Sequence, residues 1–129
     1  MNSPKEWLSL ADALLSFSRA DECFVSLEHT IQELTRFAHA QIHQNVQEEN
    51  IRIKILSAFH NRVGAVDWQG NPQKMPQMKK LVRASEEIAR HLPENPHFPS
   101  FAPAKKIRPR HLVSPSLRKW DSARRADTV

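Results

Sequence analysis

The chain has 129 residues, 26% of them charged, with a net charge of +5, nine prolines, two glycines and one cysteine. That length is one domain's worth. The lone Cys23 rules out an intrachain disulfide framework, and no apolar run approaches the ~18 residues of a membrane span. The charge is segregated: residues 1–49 carry three Lys/Arg against eight Asp/Glu, whereas residues 50–92 and 93–129 each carry eight against three.

Ser3-Pro4-Lys5-Glu6 predicts a helix start. The Ser3 hydroxyl can accept from the Glu6 N–H while the Glu6 carboxylate reaches back to the Ser3 N–H. Pro4 sits at the first helical position, where its missing donor costs nothing. Trp7, Leu8, Leu10, Ala11, Leu14, Leu15 and Phe17 then form an apolar face, ending near Ser16–Arg19. No basic run or small-residue cleavage site precedes or follows it, so the N-terminus does not read as a signal peptide. The expected location is intracellular, cytoplasmic, or nuclear in a eukaryotic host.

A second start follows near Ser18–Asp21. Phe24, Leu27, Ile31, Leu34, Ala38, Ile42 and Val46 step by three or four residues, and after Gln47-Glu48-Glu49-Asn50 the stripe resumes at Ile53, Leu56, Phe59 or His60, and Val63. This spacing predicts one long helix over about 21–63, ~65 Å at 1.5 Å per residue, with a bend at Glu48–Asn50 as the alternative. A helix of that length usually lies in a coiled coil, so it is also the expected surface for a homo-oligomer. Leu34 on this stripe and Leu81 further along are expected core positions.

Gly64 and Gly70-Asn71-Pro72 punctuate the chain, with Trp68 between them. Pro76 opens a third amphipathic helix with Met78, Leu81, Val82, Ser85, Ile88, Ala89 and Leu92 on one face. It stops at Leu92, because a residue before proline is pushed out of α geometry. No strand alternation stands out. The expected fold class is all-α: a short N-terminal helix, one long helix, and a third amphipathic helix forming a core over 1–92. A Pro-rich basic tail follows over 93–129, holding six of the nine prolines. Phe98 and Phe101 predict that its first part is laid along a surface.

No Walker-type loop, GxGxxG, GxSxG, HExxH or CxxC is present. Cys23, beside Phe24, reads as a packing residue. His39 and His43 in HAQIH would share a helix face, but His29, Cys23 and Glu33 lie one to three turns away and complete no ligand set. No catalytic residue, metal or cofactor is assigned, and the chain is expected to be non-enzymatic.

The basic groups carry more. Lys79, Lys80 and Arg83 fall within about one turn of the third helix, Arg90 lies two turns on, and Lys74 precedes them; such a face can track a phosphate backbone. The alternative is a solvated face with Glu86–Arg90 and Arg83–Glu87 pairs. In the tail, Lys105-Lys106-Ile107-Arg108, continuing to Arg110, fits a short nuclear-import pattern. Ser114-Pro115 starts a short amphipathic segment over 114–125, with Leu117 and Trp120 as partner anchors among Arg118, Lys119, Arg124 and Arg125. A helix of ~10 residues does not hold alone in water, so docking is expected to populate it.

Two functional expectations follow. One is an assembly protein binding DNA or RNA through these basic residues, as a small component of a nucleoprotein complex. The other is an adaptor or inhibitor that docks its long helix or the Leu117/Trp120 segment on an acidic protein surface.

Overall fold

The computed structural model describes residues 3–72, 75–103, 105, 110, 112 and 114–127, without the side chains of Arg118 and Ser122. Its elements are α1 (Pro4–Phe17), β1 (Glu22–Ala38), β2 (Gln41–Phe59), β3 (Arg62–Gln69), α2 (Met75–His91), a 3-10 turn (Leu117–Lys119) and α3 (Ser122–Ala126). The strands form one antiparallel sheet in the order β1-β2-β3. The all-α, coiled-coil expectation is overturned: the predicted long helix is replaced by two strands and their turn, and a third strand follows.

The physical reason lies in the side chains. Val25, Thr30, Ile31, Thr35 and Phe37 in β1, and Ile42, Val46, Ile51, Ile53 and Ile55 in β2, are β-branched or aromatic and favour a pleated surface. Ile51-Arg52-Ile53-Lys54-Ile55 alternates strictly, and Ile53 and Ile55 are fully buried between exposed Arg52 and Lys54. The three-to-four-residue stripe that suggested a helix crosses both faces of the strands. The two ends of the chain's core did follow local signals. Ser3 and Glu6 form the capping box of α1, and α2 occupies the third predicted helix.

The chain divides into two compact units. The first comprises Met1–His29 and Asn50–Pro103. Here Leu10 and Leu14 of α1, Met78 and Val82 of α2, and Ile53 and Ile55 of β2 form one buried cluster, edged by Cys23, Val25, Leu27, Ile51, Trp68 and the half-buried Leu81. Both helices therefore cover the same sheet face. Removing a side chain such as that of Leu14, with no exposed surface, from water stabilises the fold by about 1.5–3 kcal/mol.

Register places Ile53 opposite Trp68, Ile55 opposite Val66 and Ser57 opposite Gly64. At Gly64 the backbone of α2 comes so close that a Cβ would overlap the Ser85 carbonyl oxygen and the Ala89 nitrogen, and would lie 3.0 Å from the Ala89 Cα. Gly64 is thus a close-approach site inside β3, not a chain break. Beside it the Ser85 hydroxyl donates to the Val82 carbonyl at 2.8 Å, so the Ser57 hydroxyl, 2.7 Å away, donates to Ser85. Both serines are fully buried.

Glu86 fastens α2 to the chain that leaves α1. It is 2% exposed; it accepts from the Arg19 N–H, from the Ser18 hydroxyl at 3.3 Å and from the Arg83 guanidinium at 2.5 Å. Burial pushes its carboxyl pKa up, but the Arg19 N–H, Arg83 and Ser18 outweigh that effect and hold it below the ordinary value.

The proline-rich segment after α2 returns to the sheet within this unit. The Asn95 N–H donates to the Asn61 carbonyl at 2.8 Å and Arg62 pairs with Glu94 at 3.2 Å. The Phe101 N–H donates to the Glu22 carboxylate at 2.7 Å, the Ser100 hydroxyl donates to its other oxygen, and Phe101 packs between Phe24 and Phe98. Residues 94–101 therefore act as a strap. Among the described residues no helix is long and apolar enough to cross a membrane.

Candidate interaction surface on the β1–β2 hairpin

The second compact unit comprises Thr30–Glu49 and Ala104–Val129. Its strands meet at a two-residue turn in which His39 and Ala40 have φ of 52° and 56°. Positive φ at both central residues matches the right-handed twist of paired strands, as in a type I′ turn. His39 therefore sits in the turn and His43 in β2, with its Nε2 3.3 Å from the Ala38 carbonyl oxygen; the shared helix face expected for the two histidines does not exist. Among the described residues no group of three or more His, Cys, Asp or Glu side chains is placed to hold a metal.

Along the hairpin the Thr35 hydroxyl donates to the Asn45 side-chain oxygen at 3.0 Å. Arg125, from α3, donates to Glu33 at 2.7 Å and to the Thr35 hydroxyl at 3.1 Å, and also to the Trp120 carbonyl at 2.7 Å. The Asp121 side chain caps α3 by accepting from the Arg124 N–H at 2.9 Å. The tail segment is thus held to the hairpin by an arginine, while Leu117 and Trp120 stay 70% and 43% exposed.

Two features leave the hairpin open. β1 is an outer strand of the sheet, and among the described residues no backbone hydrogen bond from another segment reaches the outer edge of its residues 30–38. Ile31 and Phe37 on that strand are 58% and 63% exposed. Leu34, expected in a core, is half-buried. Sequence reading placed Ile31 and Leu34 on a helical stripe and passed over Phe37. The signal that could have found them is the density of β-branched and aromatic residues between Glu22 and Phe59.

The basic residues divide by their partners. Arg83 is committed to Glu86, while Arg90 lies 4.0 Å from Glu87 and its guanidinium stands 4.6 Å over the Phe59 ring. These i,i+3 pairs replace the i,i+4 pairs expected. Lys79 stands 5.8 Å over the Phe17 ring and is exposed, as is Lys80. Lys105, Arg110, Lys119 and Arg124 are exposed in the tail. Lys74, Lys106, Arg108 and the Arg118 side chain lie outside the described residues. The structure brings Arg83 and Arg90 to carboxylates and Arg125 to Glu33; the α2 residues belong to the first unit and the tail residues from 104 onward to the second.

A further polar group occupies the sheet face opposite Ile53 and Ile55. Arg52 makes a two-pronged contact with Asp67 at 2.7 and 2.6 Å, flanked by Ser26, Glu28 and Lys54. Their hydrogen bonds raise the Arg52 pKa and lower that of Asp67, the behaviour of a solvated cross-strand pair. Comparison with known proteins finds no matching family model and no matching curated protein.

Proposed function

We propose that this chain is a non-enzymatic protein-interaction module that works by strand addition at the outer edge of β1. The observation that carries the reading is that β1 is an outer strand of the sheet and that its residues 30–38 take no backbone partner on the outer edge among the described residues. An added strand gains main-chain hydrogen bonds, and its alternating side chains supply specificity. Exposed edges are ordinarily blunted by lysine, proline or a bulge, yet β1 contains neither lysine nor proline. Docking through a long helix falls with the helix; the exposed Leu117 and Trp120 supply a second contact. The interaction is taken to be intracellular, on the strength of the lone cysteine.

Nucleic-acid binding is the second reading, favoured by the exposed Lys79 and Lys80 and by the net charge of +5. It is weaker because Arg83, Arg90 and Arg125 already face carboxylates. Two measurements separate the readings. A photo-crosslinking residue at Phe37 should give discrete protein adducts in cells, and one at the 88% exposed Leu112 should not. Fluorescence anisotropy with generic DNA and RNA at ~50 mM salt should show no binding that salt weakens steeply. Steeply salt-dependent binding without adducts at Phe37 would replace strand addition with the nucleic-acid reading.

A further inference from the structure

The sequence of β1 around Leu34 is self-complementary, and this points to what covers its edge. Ile31-Gln32-Glu33-Leu34-Thr35-Arg36-Phe37 reads apolar, polar, polar, apolar, polar, polar, apolar in either direction. We infer that the strand added to β1 is β1 of a second copy of this chain, running antiparallel about a twofold axis at Leu34. The inference rests on the strand-addition reading and names its partner.

In that register Leu34 meets Leu34 of the second copy, Ile31 meets Phe37, Gln32 meets Arg36 and Glu33 meets Thr35. Each of these pairs, from Ile31 to Phe37, joins apolar to apolar or polar to polar, and the outermost pair sets Thr30 against the small Ala38. Residues directly opposite in an antiparallel pair share a sheet face, and a twofold axis perpendicular to the sheet preserves faces, as these pairings require. The alternatives are worse. An axis at Glu33 or at Arg36 sets like charges directly opposite, which destabilises a pair. An axis at Thr35 sets Glu33 against Phe37 and Leu34 against Arg36.

Two independent observations agree with the Leu34 axis. The pairing runs from Thr30 to Ala38. Ala38 is the last residue of β1 and Thr30 is the first residue of the second compact unit, so the paired stretch is the part of β1 that belongs to the second unit. Charge is the other. The two copies of Glu33 would approach each other near the axis, and Arg125 already neutralises Glu33 at 2.7 Å. Because the same patch is used on both sides, the contact closes on itself and yields a dimer, not a fibre.

The test is the oligomeric state of the full chain. Light scattering across a concentration series should give twice the chain mass. Leu34→Lys, which places two ammonium groups together on the axis, should give a monomer with an unchanged circular dichroism spectrum. Should that variant misfold, Leu34→Cys in a Cys23→Ser background keeps the question open to test. Facing Cα atoms in such a pair are about 4.5–5.5 Å apart, within disulfide reach, so mild oxidation should link two chains through Cys at position 34. Leu112→Cys in the same background should not link them.

A wild-type chain that is monomeric at every concentration overturns the inference, as does equal cross-linking at positions 34 and 112. If the chain is monomeric while the photo-crosslinker at Phe37 captures one defined protein, strand addition stands and the second-copy partner is wrong. If it is monomeric and Phe37 captures nothing, both fall.

Discussion

Glu86 shows how one side chain can organise a core. Its carboxylate, 2% exposed, draws an N–H, a hydroxyl and a guanidinium onto α2. The pKa is lowered in the folded chain. Its contribution is therefore fully present above the unfolded-state value of about 4.3, and it is lost as pH falls through the lower folded value. Glu86→Gln keeps the shape and removes the charge. It should destabilise the protein by about 1.5–3 kcal/mol near pH 7, the range for hydrogen bonds to charged groups. The gap between variant and parent should close as acid titrates the parent. Urea melts at about pH 7 and about pH 3 measure both; a gap that persists unchanged at the lower pH would show that the charge is not what holds α2. The sequence placed Glu86 on a solvated face, because nothing local announces that the chain around Ser18 and Arg19 will close over it.

At the scale of elements, what could be read from the sequence depended on whether the determining contact was local. The capping box of α1 lies within four residues, and α2 ends beside a proline that excludes continued helix; both were legible. The hairpin was not, since its turn, His39-Ala40, carries none of the Asn-Gly or Asp-Gly chemistry that marks such turns. With no visible turn, apolar residues at intervals of three and four passed for a helix. The alternation from Ile51 to Ile55 held the opposite evidence, and only the sheet face it buries makes that decisive. Gly64 was likewise read as a break, when its role is to let α2 lie against β3. Gly64→Ala should push α2 off the sheet and cost about 3 kcal/mol, at the upper end of overpacking, seen as a lowered urea midpoint. A neutral effect would mean that the close approach at Ser85 and Ala89 is not required. The candidate surface was invisible for the same reason as the hairpin: an edge strand can be recognised only once its pairing order is known.

For the molecule as a whole, composition correctly flagged a division of charge but not its use. Eight basic residues in 50–92 suggested a phosphate-tracking face, and the fold turns Arg83 and Arg90 toward carboxylates. The expectation that the proline-rich stretch lies along a surface was legible from Phe98 and Phe101, because large aromatics are scarce in free linkers. Their actual neighbour, Phe24, was not.

That strap has a consequence for how the chain meets a protease. Cleavage needs a stretch of backbone released into an extended, accessible loop, and backbone tied down by hydrogen bonds and packing resists it. Asn95, Phe98 and Phe101 are tied to the sheet or to each other, whereas Lys105 is the first exposed tryptic position after them. Limited trypsin digestion from the C-terminal side should therefore pause on a fragment ending at Lys105, measurable by intact mass. Because residues 91–104 hold no Lys or Arg, chymotrypsin, which cuts after aromatic residues, tests the strap itself: rapid cleavage after Phe101 would show it to be loose. The sequence boundary near residue 93 marks where helix stops; the boundary a protease reports should fall about a dozen residues later, where the last tie to Glu22 ends.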